Sequence, residues 1–161
     1  MLATYNEIIN SIYDEDIKDF TKNALDKNGS KELEKDACEV TKWLWFLLKE
    51  DKILNDNNYA VFIDILLAAA ALHNISYKYG EEDYTKLFKA RQMTKDTIVR
   101  ENLKLNQNYF DSIMQTIECQ LGKNHPISLL IPSPNSPGSQ IALACSLYYK
   151  THNTVNDEDL I

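Results

Sequence analysis

Glycine and proline are scarce in this chain, with four of each among 161 residues, and every proline falls between Gly122 and Gly138. The turn punctuation that sandwiches and barrels need at short intervals is therefore missing over most of the length. Alternation of β-branched with polar residues is also nearly absent, so there is little pattern from which a sheet could form. Arginine occurs only as Arg91 and Arg100, and the net charge is −7. A general binder of nucleic acid needs a concentrated basic surface, and this composition argues against one. The three cysteines show no Cys-x-x-Cys spacing, the start Met1-Leu2-Ala3-Thr4 lacks a basic and then apolar leader, and no apolar run is long enough to span a bilayer. Together these predict free thiols in a reducing, cytoplasmic setting, away from membranes. A glycine-rich phosphate loop, a nucleophile elbow and a His-Glu-x-x-His metal motif are missing too, which sets aside the enzyme classes built on them.

What is present is helical periodicity. A hydrophobic content of 44% in one compositionally even stretch suits a single well-buried domain. Thr4 with Glu7 has the capping-box spacing, and Tyr5, Ile8, Ile9, Ile12, Ile17 and Phe20 recur at helical intervals, which predicts one amphipathic helix from Tyr5 to near Leu25. Asn28-Gly29 breaks it, and Ser30 can cap a second helix whose apolar face carries Leu33, Val40, Leu44, Leu47 and Leu48, widened by Trp43, Trp45 and Phe46. Asp56-Asn57-Asn58 reads as the turn into a central helix. Short helices are expected within 81–94 and 97–105, and a longer one from Asn108 to near Leu121. The proline-bearing stretch from Gly122 to Gly138 reads as a long loop, of the kind often used for function, and a last helix follows from Ser139 to near Lys150. The expected architecture is an all-α bundle of about six to eight helices, with residues 1–28 as an N-terminal helix, 30–151 as the core and 152–161 as an acidic tail.

The central stretch, Ile65-Leu-Leu-Ala-Ala-Ala-Ala-Leu-His73-Asn74-Ile75, carries the most information. From Tyr59 to Leu72 its only charged residue is Asp64, and a helix apolar on nearly every side belongs in the middle of a bundle. It ends on an imidazole beside an amide. At these residues the chain resembles the HD-domain superfamily, all-α proteins in which a central helix ends in a His-Asp pair that binds metal for phosphate-ester hydrolysis. Glu39-Val-Thr-Lys-Trp-Leu-Trp-Phe-Leu-Leu-Lys-Glu50 is similar to that family's preceding helix and Gln140-Ile-Ala-Leu-Ala-Cys-Ser-Leu147 to its closing helix. Ile117-Glu-Cys-Gln-Leu-Gly122 falls where many members carry further histidines.

The resemblance implies a site and also its erosion. The family's first histidine falls on Asp36, the aspartate of its pair on Asn74 and its closing aspartate on Cys145, so that His73 alone is retained. Read this way the metal ligands would be His73, Asp36 and Cys145, holding at most one divalent ion (Mn, Fe, Mg or Zn). A neutral amide and a thiol suit a hard hydrolytic metal poorly. A zinc site drawing on Cys119, Cys145, His73 and either Cys38 or Asp36 is a second possibility.

Several residues could carry chemistry. His73 is open to three readings: metal ligand, general base, or core histidine satisfied by a backbone carbonyl. Asn74 could cap the helix end or meet substrate, and Asp64 could supply a carboxylate or face solvent. Lys78 stands where related phosphohydrolases often place a lysine, and it could equally complement the helix dipole. Arg91 and Arg100 could clamp a phosphate or form surface ion pairs. Lys123 and His125 open the proline-bearing loop, while Ser136 and Ser139 lead into a helix N-terminus able to hold an anion or simply cap it. Tyr77, Tyr79, Tyr84, Tyr109, Tyr148 and Tyr149 are expected at the core edge or on a partner surface. The function expected first is that of a degenerate HD-like protein, for instance a phage- or mobile-element-encoded modulator of its host, that binds a phosphate-bearing small molecule or a protein partner. An active metal-dependent phosphohydrolase of nucleotides or small phosphate esters is the alternative.

Overall fold

The computed structural model describes residues 3–52, 54, 56–75, 96, 104–118 and 137–151, with the backbone alone at 118, 137–139, 150 and 151. The described residues form a helical bundle without strands. Its helices are α1 (Tyr5–Asn10), α2 (Glu15–Asn28), α3 (Lys31–Glu50), α4 (Ala60–Leu72), α5 (Gln107–Glu118) and α6 (Pro137–Thr151), and a 3-10 turn, Asn57–Tyr59, leads into α4.

The caps follow local chemistry. Thr4, Asp14 and Ser30 each accept, through the side chain, the backbone N–H of the residue three positions on, opening α1, α2 and α3. Asp56 accepts from the N–H of Asn58, two positions on, at the 3-10 turn. Pro137 begins α6 two residues before the predicted start at Ser139, in keeping with a ring that presets helical φ and has no N–H to satisfy. At the end of α2, Gly29 is extended rather than left-handed, and what it supplies is space. A Cβ there would lie 2.8 Å from the Leu25 carbonyl oxygen and 2.9 Å from the Tyr5 ring.

Helix α4 is the axis of the bundle. Every residue from Ile63 to Leu72 is buried, and α1, α2, α3, α5 and α6 all pack on it. The run Ala68 to Ala71 makes this crowding possible, because small side chains let several neighbours approach one helix closely. Around α4 lie Phe20 of α2, Leu44 and Leu48 of α3, Ile113 of α5 and Ile141 of α6, all in one continuous core. Phe20 also meets Phe110 edge to face across α2 and α5, at 6.1 Å between ring centres.

One expected element divides in two. The helix predicted from Tyr5 to near Leu25 stops at Asn10 and restarts at Glu15. Between them Ser11 bonds back to the Glu7 carbonyl, and the N–H groups of Tyr13 and Asp14 donate to the two oxygens of Asp64 at 3.0 and 2.9 Å. The Asp64 carboxylate is 2% exposed. It turns the chain by offering acceptors that α4 does not need and an uninterrupted helix could not have used.

Two outcomes are expected from this frame. Asp64→Ala should lower stability by roughly 3 kcal/mol, since two charge-assisted bonds go and two donors are left behind. Lys52 follows the end of α3 with φ 59°, the left-handed position at which glycine is usual. Lys52→Gly should therefore raise stability, by up to roughly 1 kcal/mol. Urea unfolding followed by circular dichroism measures both.

Candidate functional site

Three polar side chains on the α4 segment are almost fully withdrawn from water: Asp64 near its start, and His73 and Asn74 just past its end. Buried polar groups must be paired, and the partners they find define the site.

The His73 ring is completely buried. Its Nδ1 lies 2.7 Å from the Ala70 carbonyl oxygen, and because a carbonyl only accepts, Nδ1 carries the proton. Nε2 is then the acceptor, and the Tyr149 hydroxyl donates to it at 2.7 Å. Burial lowers the imidazole pKa from its usual 6.5 to about 4, against the opposing pull of the Ala70 carbonyl and of the nearby Asp36 charge. His73 is thus a neutral imidazole of one tautomer, with both nitrogens engaged.

Asn74 is equally buried and donates through Nδ2 to the Leu33 carbonyl in the first turn of α3, at 3.0 Å. Its amide ties the end of α4 to the start of α3. Its Oδ1 has no hydrogen-bond partner among the described residues. Asp36, half-buried on α3, accepts from the Tyr148 hydroxyl at 2.8 Å. Burial and this contact with a carboxylate push the Tyr148 phenol well above its ordinary range. The adjacent rings of Tyr148 and Tyr149 lie 5.0 Å apart, so one pair of tyrosines on α6 joins Asp36 to His73. At the other end of the same helix pair, Gln140 donates to Asp51 at 2.9 Å, and α3 and α6 run antiparallel.

The structure therefore brings His73, Asn74 and Asp36 into one region, where α3, α4 and α6 meet. Cys145 lies on α6 inside the core, and burial alone raises its thiol far above the usual value, which keeps it a neutral, apolar group. Cys38 behaves alike, pushed up to about 12 by burial and then by the Glu34 charge. Asp64 is committed to the α1–α2 corner. Lys78, Arg91, Arg100, Cys119, Lys123, His125 and Ser136 lie outside the described residues, as do the short helix expected within 81–94, most of the proline-bearing loop and the acidic tail; of the helix expected within 97–105 only Lys104 and Leu105 are described, and they are not helical. Ser139 falls in the first turn of α6 with its side chain outside them. Of the tyrosines, Tyr148 is buried and Tyr109 and Tyr149 are half-buried, while Tyr77, Tyr79 and Tyr84 are outside.

The residues that sequence reasoning did not place in the site are Tyr148 and Tyr149. A signal for Tyr149 was available, since it stands four residues after Cys145 and so one turn further along the same side of α6.

As arranged, these groups do not fit a hard divalent ion. The lone pair His73 would offer is turned to a phenol, the amide of Asn74 is neutral and bound to a backbone carbonyl, and Cys145 is protonated. Among the described residues no three His, Cys, Asp or Glu side chains gather in a metal-holding group, and no helix is long and apolar enough to cross a membrane. Comparison with protein-family models, with curated proteins and with solved structures finds no match to this chain.

Two measurements follow from the His73 environment. Between the unfolded pKa of 6.5 and the folded value of about 4, the unfolded chain binds a proton that the folded one refuses. The stability due to neutral His73 is present above pH 6.5 and should be lost as the pH falls towards 4, on the order of 3 kcal/mol in all. Urea unfolding across that window should show the slope, and His73→Gln should flatten it. Tyr149→Phe strands a buried acceptor and should cost roughly 1–3 kcal/mol in the same assay.

Proposed function

We propose that this chain is an all-α binding protein on an HD-like plan, in which internal hydrogen bonds have taken the place of the metal centre. The observation that carries the reading is the closed hydrogen bonding of His73, whose two nitrogens are spent on Ala70 and Tyr149 within the core. A catalytic imidazole must present a lone pair or a proton to substrate or metal. This one presents neither. The HD-like plan itself rests on the order and spacing of the sequence motifs and on an apolar central helix ending in His73-Asn74.

Of the two kinds of partner, the composition favours a protein. A net charge of −7 repels phosphate compounds and attracts a basic protein surface. A phosphate ligand would have to rely on Arg91, Arg100, Lys123 and His125 against that background. A modulator of a host protein, encoded by a phage or mobile element, fits such a role. The alternative, an active metal-dependent phosphohydrolase, draws its support from Asp36, whose charge is felt at His73. It requires Tyr149 to swing away and give up Nε2.

The test is elemental analysis of protein purified without chelator or metal-binding tag, combined with phosphate release from nucleotides and p-nitrophenyl phosphate in added Mn²⁺ or Mg²⁺. The expected result is metal far below one equivalent and no more phosphate release than from His73→Gln. Near-stoichiometric metal and metal-dependent turnover, both lost in a folded His73→Gln variant, would overturn the reading in favour of the hydrolase.

A further inference from the structure

The corner between α1 and α2 presents Tyr13 to solvent with 85% of its surface exposed, the most exposed large hydrophobic side chain among the described residues. Exposed aromatics are common at loose loop ends, but this backbone is not loose. The Tyr13 N–H and its neighbour's are held by the buried carboxylate of Asp64, at 3.0 and 2.9 Å. Val61, 44% exposed, stands one turn before Asp64 on the same side of α4, and Ala60 beside it is exposed as well. Tyr13 is thus an exposed aromatic on a backbone tied to α4 one turn from Val61, and an anchor already held in place binds a partner with little ordering cost.

Along the chain on either side of Tyr13 the charge is almost all of one sign. Between Glu7 and Asp19 the chain carries five carboxylates (Glu7, Asp14, Glu15, Asp16 and Asp19) against the single lysine Lys18, and that lysine already lies 3.8 Å from Glu15. Asp16 and Asp19 are exposed. Such an acidic flank disfavours nucleic acid and anionic membranes and complements lysine- or arginine-bearing protein.

We propose that Tyr13 and Val61 form the apolar centre of a docking site for a basic, amphipathic segment of another protein, whose aliphatic side chains cover the two residues while its cations meet Asp16 and Asp19. This rests on the reading of the chain as a binding protein and names its partner's chemistry. The occupant is a different protein and not a second copy, because two copies would bring the same carboxylates face to face.

The test titrates a labelled synthetic amphipathic peptide of lysine and leucine against the full chain, by fluorescence anisotropy at low and moderate salt. Amide shifts in the two-dimensional NMR spectrum locate the contact. Tyr13→Ala and Asp16→Lys should each weaken binding by about tenfold or more. Both side chains are exposed, so the fold should survive, and the dispersion of the spectrum checks this. Leu143→Ser, which alters an exposed apolar residue on α6, should leave binding unchanged. Affinity should fall with salt, and shifts should cluster at residues 12–19 and 60–64. The proposal is overturned by a wild-type chain that does not bind the peptide, by equal binding of a glutamate–leucine counterpart, or by binding that ignores Tyr13→Ala. It is also overturned by dimerisation in sedimentation that Tyr13→Ala abolishes, which would assign the patch to a second copy. None of these results bears on metal content, which decides the reading of His73 separately.

Discussion

The burial of α4 from Ile63 to Leu72 is the constraint on which the rest of the structure depends. A helix with neighbours on every side has no wet face on which to leave a polar group, yet this one carries Asp64, and it is followed at once by His73 and Asn74. Each is met by a different element. Asp64 takes the two N–H groups of the α1–α2 corner, His73 takes the Tyr149 hydroxyl of α6, and Asn74 gives its amide to the Leu33 carbonyl of α3. An apolar rod packed only by alanine and leucine could slide or rotate at small cost. Three polar contacts, each costly to leave unpaired once buried, oppose this and fix the register of α2, α3 and α6 against α4.

The same contacts decide what the His73 region can do. A resting metal ligand or base needs a free lone pair and access, and His73 has its lone pair turned to Tyr149 in a setting that keeps the ring neutral. Asp36, the group whose charge could have prepared the imidazole for chemistry, is turned to Tyr148. Two adjacent tyrosines thus stand between carboxylate and imidazole and engage both. Such an arrangement serves cohesion of the α3–α4–α6 junction, and it moves the search for activity from the interior to the surface.

Much of the frame was legible along the chain. Thr4, Ser30 and Asp56 announced helix starts because a cap is a contact over two or three residues. The Tyr59–Leu72 stretch announced a central helix because its polar residues are too few to make an outer face. The break at Ser11–Asp14 was hidden, since Ile12 and Ile17 keep the helical period running while the acceptors that stop the helix come from Asp64, some fifty residues away. Asp64 itself was read as a ligand or a solvent-facing group, because sequence shows a carboxylate but not the donors that will meet it.

The sequence by itself determined the helical class, the caps, the identity of the buried axis and the presence of an imidazole–amide pair at its end, all of them set by neighbours within a few turns. Only the tertiary structure decided that Asp64 would make a corner, that Tyr148 and Tyr149 would divide Asp36 and His73 between them, and that Tyr13 would be held out in water. These are pairings between helices, and which donor meets which acceptor depends on the packing of α2, α3 and α6 around α4, a quantity no local pattern encodes.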